Sequence, residues 1–267
     1  MHIVVCVKQI PNPEIAASLF RVDETAKKVV PVPGLPMVIS PFDEQAVEAA
    51  LRIRDKLGEA RITVVSLGHE SARAVIKSAL SLGADEAVLL CSPDFADSDS
   101  YTTALALARA IKKIGAFDLI LTGRQAADWD AGVVGCGLAE LLDLPSATFA
   151  KDVQVVGSTV RVERVLADGF EIVESPLPAL VTIAHELGKP RYASLRETMK
   201  AARKPVTVWT AADLGLDAAE VGAAGARRTL ERLYIPVNDS RCEFVTGGSP
   251  EESAANLARR LHEAKLI

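Results

Sequence analysis

The stretch Phe117–Leu144, FDLILTGRQAADWDAGVVGCGLAELLDL, reads as a buried strand, a glycine turn and the start of a helix. Phe117 to Leu121 is too apolar for a surface strand. It predicts a central parallel strand that delivers Thr122 and Gly123 to the carboxyl edge of an α/β sheet. The next helix is expected to begin between Ala131 and Gly135. Small residues there (Ala131, Gly132, Gly135) would let backbone N–H groups approach an anion, with the helix dipole adding roughly 0.3–1 kcal/mol. Phosphate is the natural guest; a glycine turn that only reverses the chain is the competing reading. The stretch has neither G-x-G-x-x-G spacing nor GK[ST], so it carries no dinucleotide fingerprint and no P-loop. Asp128 and Asp130 would repel a phosphate; one is assigned to capping the helix, the other to ribose or solvent. A D-x-D pair supplies too few oxygens to be read as a divalent-cation site.

Outward from this stretch, strands and helices alternate at short intervals, which predicts a parallel sheet with right-handed crossovers. His2 to Val7 is a strand, followed by a proline-rich loop ending at Ser40. Ser40 as N-cap, Pro41 at the first helical position and Asp43 three residues after the cap start a helix whose apolar face is Ala46, Val47, Ala50 and Leu51. Then come strand Ile62–Leu67, helix Glu70–Leu82 stopped by Gly83, strand Ala87–Leu90 and helix Tyr101–Ile114. After Leu144-Pro145 the pattern changes. Short strands VQVV, TVRVERVL, FEIVE and ALVTIA, separated by Gly157-Ser158 and Asp168-Gly169, predict hairpins and a mixed or antiparallel end to the sheet. Beyond Gly188 a short amphipathic helix precedes the Ala/Gly-rich stretch Ala211–Ala226, read as a linker or arm. The C-terminal helix is capped by Ser249, Pro250 and Glu252, with Ala254, Leu257 and Leu261 on one face. It is expected to pack either on its own sheet or on a second protein.

Composition narrows the function. At 267 residues, 49% hydrophobic and 24% charged, the chain can bury a large core. A net charge of −5 without a basic face argues against nucleic acid. Cys6, Cys91, Cys136 and Cys242 lie far apart without a C-x-x-C pair, which predicts reduced, mostly buried thiols rather than zinc or redox chemistry. The apolar start MHIVVCVKQIP is too short for a signal peptide, and no apolar run approaches a membrane span, so the cytoplasm is the expected location. The four histidines are scattered, and none is assigned a catalytic role. No metal site is expected.

Six segments in order carry a family resemblance: VCVKQIP, PFDEQAVEAALRIRD, SLGADEAVLL, DLILTGRQAADWDAGVVG, ESPLPALVTIAHELGKPRY, and SLRETMKAARKPV followed by DLGLD. Through them the chain, from residue 1 to about 217, resembles the beta subunit of electron-transfer flavoprotein (the FixA family). The resemblance implies an adenine-nucleotide hydrolase-like (Rossmann-like) α/β fold, with a mostly parallel sheet, helices on both faces, and an extended C-terminal arm and helix. It implies three regions: a nucleotide-binding domain over 1–187, a partner-docking loop and helix over 188–205, and an arm and helix over 206–267 packing on an alpha subunit. The implied partners are that alpha subunit, which mainly holds the redox-active FAD, flavin-dependent dehydrogenases such as acyl-CoA dehydrogenases, and a quinone-linked oxidoreductase or ferredoxin as acceptor. The implied role is that of an electron carrier rather than an enzyme transforming a small substrate.

The same resemblance places an adenine nucleotide, AMP or a second FAD, against Cys6 and Val7, Ser40 and Asp43, Ser66, Leu67 and Gly68, and the run Gly123, Arg124, Gln125, Ala126, Asp130, Ala131, Gly132, Val133 and Val134. AMP-type members usually read D-D-D-x-N-Q-T-G here, and electron-bifurcating members, whose second FAD takes a hydride from NADH, read D-G-D-T-A-Q-V-G. This chain reads D-W-D-A-G-V-V-G from Asp128 to Gly135; Trp129 and Val133 match neither, and the choice stays open. The resemblance also implies docking of dehydrogenases through Tyr192, Leu195, Met199 and Lys200, with Leu195 as the anchor and Arg191, Arg196, Arg203 and Lys204 completing a basic ring. Two other classes compete. A stand-alone adenine-nucleotide regulator of the universal-stress type would not need residues 188–267, and a nicotinamide dehydrogenase would need a fingerprint that MHIVVCVKQIPNPE lacks.

Overall fold

The computed structural model describes residues 1–237 and 241–267. The apolar runs become the strands of one large sheet: β1 (His2–Cys6), β2 (Arg61–Leu67), β3 (Glu86–Leu90), β4 (Leu119–Gly123), β5 (Ser146–Val156), β6 (Thr159–Leu166), β7 (Gly169–Pro176), β8 (Ala179–Ile183) and β9 (Thr207–Trp209). Their spatial order is β7-β6-β5-β8-β4-β1-β2-β3-β9. From β5 to β9 every neighbouring pair is parallel. Within this sheet, among the described residues, only the hairpins β5–β6 and β6–β7 are antiparallel, so the expected change of pattern after Pro145 is real, and β8 then returns to the parallel core. β5 is longer than the VQVV run suggested, starting at Ser146 directly after Pro145.

β4 is buried over all five residues, as a strand flanked on both sides and covered on both faces must be. Side-chain alternation splits its apolar residues between two core layers. Leu119 and Leu121 join Ile3, Val5, Ile62 and Val64 beneath helices α1 (Pro41–Leu57) and α2 (Arg73–Leu82). Ile120 joins Val4, Val65 and Val88 beneath α3 (Ser100–Ile114) and α4 (Val134–Leu142). Each of these fully buried aliphatic side chains contributes roughly 1.5–3 kcal/mol to folding. A nine-residue helix, α5 (Leu195–Arg203), packs against α2.

The Ala/Gly-rich stretch 211–226 differs from its reading as a linker. Ala211, Leu214, Leu216 and Val221 are buried in the second core layer, and Ala223 N–H donates to the Ala96 carbonyl at 2.9 Å. Small residues permit this close approach while hiding the periodicity that would announce it. Asp99, which caps α3 by accepting from Thr102 N–H, also accepts from the backbone N–H groups of Arg227 and Arg228 at 2.8 and 3.1 Å.

Contacts divide the chain into one large unit, Met1–Arg21 with Val29–Glu231, and a small one, Val22–Lys28 with Arg232–Ile267. Within the small unit, α6 (Pro250–Glu263) is capped by Ser249 as expected, and Glu252 reaches back to the residue before the cap. Ser249 Oγ accepts from Glu252 N–H at 3.3 Å, and Glu252 Oε2 accepts from Gly248 N–H at 2.6 Å. α6 buries no residue.

Candidate functional site

The chain runs from β1 through β2 to β3 on one side of the sheet and then crosses to β4 on the other side of β1. This makes the carboxyl ends of β1 and β4 the topological switch point, where open α/β sheets bind ligands. The expected nucleotide residues gather there. Val7 N–H donates to Val65 O at 2.9 Å, Ser40 N–H to Lys8 O at 2.9 Å and Gly68 N–H to Leu90 O at 3.0 Å, tying the segments after β1, before α1 and after β2 into one rim.

Asp43, in the first turn of α1, spans the switch point. Its Oδ2 accepts from Lys8 N–H at 2.8 Å and its Oδ1 from Gly123 N–H at 3.1 Å, so that one carboxylate joins the ends of β1 and β4. The carboxyl is buried, and burial pushes its pKa up to about 7. The two backbone N–H groups and the Lys8 ammonium pull against that rise, while Asp128 adds to it. The neighbouring Cys6 thiol is pushed up to about 12, first by burial and then by Asp43. Gly123 is needed for this contact: a Cβ there would lie 2.5 Å from Asp43 Oδ1 and 2.7 Å from Phe42 Cβ. Gly123, placed from the sequence at the carboxyl edge of the sheet, admits the start of α1 there.

Two hydroxyls of the segments that form the rim are without a protein partner. Ser40 Oγ and Ser66 Oγ, both in fully buried residues, have none, and neither does Arg124 Nε. A buried polar atom left so costs about 1–3 kcal/mol. Ser40 does not use its hydroxyl as an α1 cap; its carbonyl accepts from Asp43 and Glu44 N–H instead. Ser40 is the N-cap residue and Pro41 the first helical residue, as expected, but the cap has no side-chain bond, and the Asp43 carboxylate is turned across the sheet edge.

The run from Gly123 to Val134 leaves the same edge as an exposed loop. Arg124 N–H continues the β4–β8 ladder onto Ile183 O at 2.9 Å, and its guanidinium lies 5.1 Å from the Phe42 ring and 5.7 Å from Phe149. Neither aspartate caps α4, contrary to expectation. Asp128 Oδ2 accepts from Lys8 Nζ at 2.7 Å and Asp130 Oδ1 from Gln125 Nε2 at 2.8 Å. Both carboxylates are thereby engaged by donors, which reduces the repulsion they would exert on an anion. α4 opens with Val133 as an N-cap without a side-chain bond, leaving its first N–H groups unpaired within the helix. Asp130 and Gly132 adopt left-handed φ of +48° and +64°, turning the loop into that helix. Gly135 is required for packing: a Cβ would lie 2.8 Å from both Thr122 Oγ1 and Thr182 Cγ2 on the sheet. Lys8 and Phe42 were missed from the sequence. The available signal was their position, immediately beyond a parallel strand and within the first turn of the helix that crosses it.

The expected docking residues lie on α5 and just before it. Ser194 Oγ caps α5 by accepting from Glu197 N–H at 3.2 Å. Tyr192, Leu195 and Met199 are 95%, 78% and 58% exposed, so Leu195 is no core residue. Leu195, Arg196, Met199, Lys200 and Arg203 line an open groove of about 510 Å³. The basic ring is smaller than expected. Arg191 is paired with Glu48 and Asp55, and Lys204 Nζ donates into the fold to Ala84 O at 2.6 Å. Lys200 pairs with Glu197 at 2.8 Å. The thiols also differ from expectation: Cys6 is buried, but Cys136 and Cys242 are exposed, being on the outer side of α4 and in the small unit. Among the described residues no helix is long and apolar enough to cross a membrane.

A family model described as "Electron transfer flavoprotein domain" matches residues 32–214. An electron transfer flavoprotein subunit beta of Thermoanaerobacterium thermosaccharolyticum is 38% identical, covering 100% of both chains. The caffeyl-CoA reductase-Etf complex subunit CarD of Acetobacterium woodii is 34% identical, again over 100% of both. Protein FixA of Azorhizobium caulinodans is 36% identical over 92% of this chain and 88% of its own.

Proposed function

The chain belongs to the electron transfer flavoprotein family, on its beta-subunit and FixA side, and on that premise we propose that it pairs with an alpha subunit and holds an adenine nucleotide at the β1/β4 switch point. The observation that carries this reading is the group of buried, unpartnered polar atoms there: Ser40 Oγ, Ser66 Oγ and Arg124 Nε. They are chemically suited to a ligand rich in hydroxyl, ring-nitrogen and phosphate groups, and the unpaired N–H groups at the start of α4 suit its phosphates. The residues present therefore fit an adenine nucleotide. Cys6, Val7 and Leu67 would supply apolar walls. Asp43 holds the Lys8 and Gly123 backbone in place, and Arg124, stacked between Phe42 and Phe149, would offer its cation beside them. A bound FAD would supply one- and two-electron chemistry; AMP would supply stability alone, by binding the native state. The family match and the full-length similarity do not favour a stand-alone regulator of the universal-stress type.

Electrons would enter from flavin-dependent dehydrogenases that dock on the Tyr192, Leu195, Met199 and Lys200 face and leave to a quinone- or ferredoxin-linked acceptor. A relative named as part of a caffeyl-CoA reductase complex supports a partner that acts on CoA esters. α6, amphipathic and without a buried residue, is the element suited to pack on the alpha subunit. The cytoplasm is the proposed location.

The test is stoichiometry. The chain is co-expressed with its alpha partner, the complex is purified, and released nucleotides are counted by chromatography. One FAD and one AMP per heterodimer make it a simple carrier. Two FAD and no AMP make this subunit a candidate bifurcation site, to be tried next with NADH. One FAD and no second nucleotide would overturn the switch-point reading.

A further inference from the structure

The exposed face of α5 belongs to a helix of nine residues that buries one side chain, Ala201. A helix this short is marginal in water and is held by its surroundings. Those surroundings are polar and grip the segment beyond both ends. At the C-terminal end, Lys77 of α2 donates from Nζ to the carbonyls of Ala201 at 3.0 Å, Ala202 at 3.1 Å and Lys204. These carbonyls lie at the end of the helix, where Ala201 O also accepts from Lys204 N–H at 3.1 Å, and a positive charge there complements the dipole. On the approach side, the buried Glu48 of α1 accepts from Arg191 Nε at 2.8 Å and from its backbone N–H at 3.2 Å. Glu48 also accepts from Arg52 Nε at 2.8 Å, and Arg52 donates onward to the Leu187 carbonyl at 2.9 Å. Burial alone would raise the Glu48 pKa, but the bonds from Arg191 and Arg52 outweigh it and keep the group ionised.

We propose that Glu48 and Lys77 are positioning residues for partner docking: from α1 and α2 they fix the two ends of the segment Arg191 to Lys204 and so present Leu195 and Met199 in one orientation. The inference rests on α5 being the docking face. Neither residue lines the groove, and each acts through the backbone it holds. Preorganisation of this kind lowers the ordering cost a partner would otherwise meet on binding.

The test uses the nucleotide-loaded heterodimer as electron acceptor for a flavin-dependent dehydrogenase, with Glu48→Gln, Lys77→Met, Lys77→Arg and Leu195→Ala compared with the wild type. Glu48→Gln and Lys77→Met are expected to raise the KM for the heterodimer roughly three- to tenfold, as follows when the competent orientation falls to about 10–30% of the population. Saturated kcat and nucleotide content stay unchanged, and Lys77→Arg restores the KM. Amide hydrogen exchange should quicken over 195–203 and not over β1 to β4. An unchanged KM in both variants, with Leu195→Ala raising it, overturns the positioning role while docking stands. If Leu195→Ala also leaves KM unchanged, the docking reading falls and the inference with it. Should Lys77→Met not fold, Glu48→Gln decides the matter.

Discussion

Asp43 makes a prediction whose size follows from its surroundings. Its pKa rises from an ordinary 3.8 to about 7 on folding, first because burial disfavours the charged form. A group whose folded pKa is raised contributes stability that is complete below the unfolded pKa and lost as pH rises through the folded one. The window is therefore pH 4 to 7. About 3 units at 1.36 kcal/mol each make the loss on the order of 4 kcal/mol by pH 8. Asp43→Asn cannot titrate, but it offers one carbonyl oxygen to two backbone donors, Lys8 N–H and Gly123 N–H. Leaving one unmet costs about 1–3 kcal/mol at every pH. The wild type is thus expected to be the more stable chain near pH 4 and the less stable one at pH 8. Urea unfolding of both full-length chains between pH 4 and 8, extrapolated to water, measures the difference. The Glu48 contribution has the opposite sign, because its folded pKa is lowered, and being common to both chains it cancels. A difference that does not change with pH would refute the argument, and would mean that the two backbone N–H groups keep Asp43 ionised.

Three other outcomes are expected. Gly135→Ala places a methyl 2.8 Å from Thr122 Oγ1 and Thr182 Cγ2; overpacking of this kind costs about 1–3 kcal/mol, so a thermal scan should show a Tm lower by several degrees, whereas an unchanged Tm would mean that α4 is not seated on β4 and β8. Leu195→Ala should leave the heterodimer and its nucleotides intact while weakening turnover with the dehydrogenase roughly 5- to 30-fold at low concentration, as loss of about 1–2 kcal/mol of docking energy would. Iodoacetamide at pH 8 followed by peptide mass mapping should label the exposed Cys136 and Cys242 well before Cys6, whose thiol is buried and pushed up to about 12; early labelling of Cys6 would contradict the closed switch point.

Much of the fold was legible along the chain because it depends on short-range pattern. The apolar run ending at Gly123 could only be a covered strand, Ser249 and Glu252 announced a capped helix by their spacing, and the hairpins from Ser146 to Pro176 followed from turn residues between alternating strands. The candidate site was legible as a set of residues but not as an arrangement. Which glycine meets an anion and which meets a helix depends on what packs over it. Gly123 and Gly135 look alike in sequence, yet one admits Phe42 and Asp43 and the other the Thr122 and Thr182 side chains. Arg191 and Lys204 read as surface charge until α1 and the end of α2 were close enough to take them in.

The sequence by itself therefore determined the alternation of strands and helices, the ends of most of them, and the family, since each is written in local periodicity, capping residues or contiguous motifs. Only the tertiary structure decided that Asp43 closes the switch point, that Ser40 and Ser66 bury hydroxyls without a protein partner, and that 211–226 belongs to the core. Those facts rest on contacts between residues tens of positions apart, and a side chain's partner across that distance is fixed by packing, not by its neighbours in the chain.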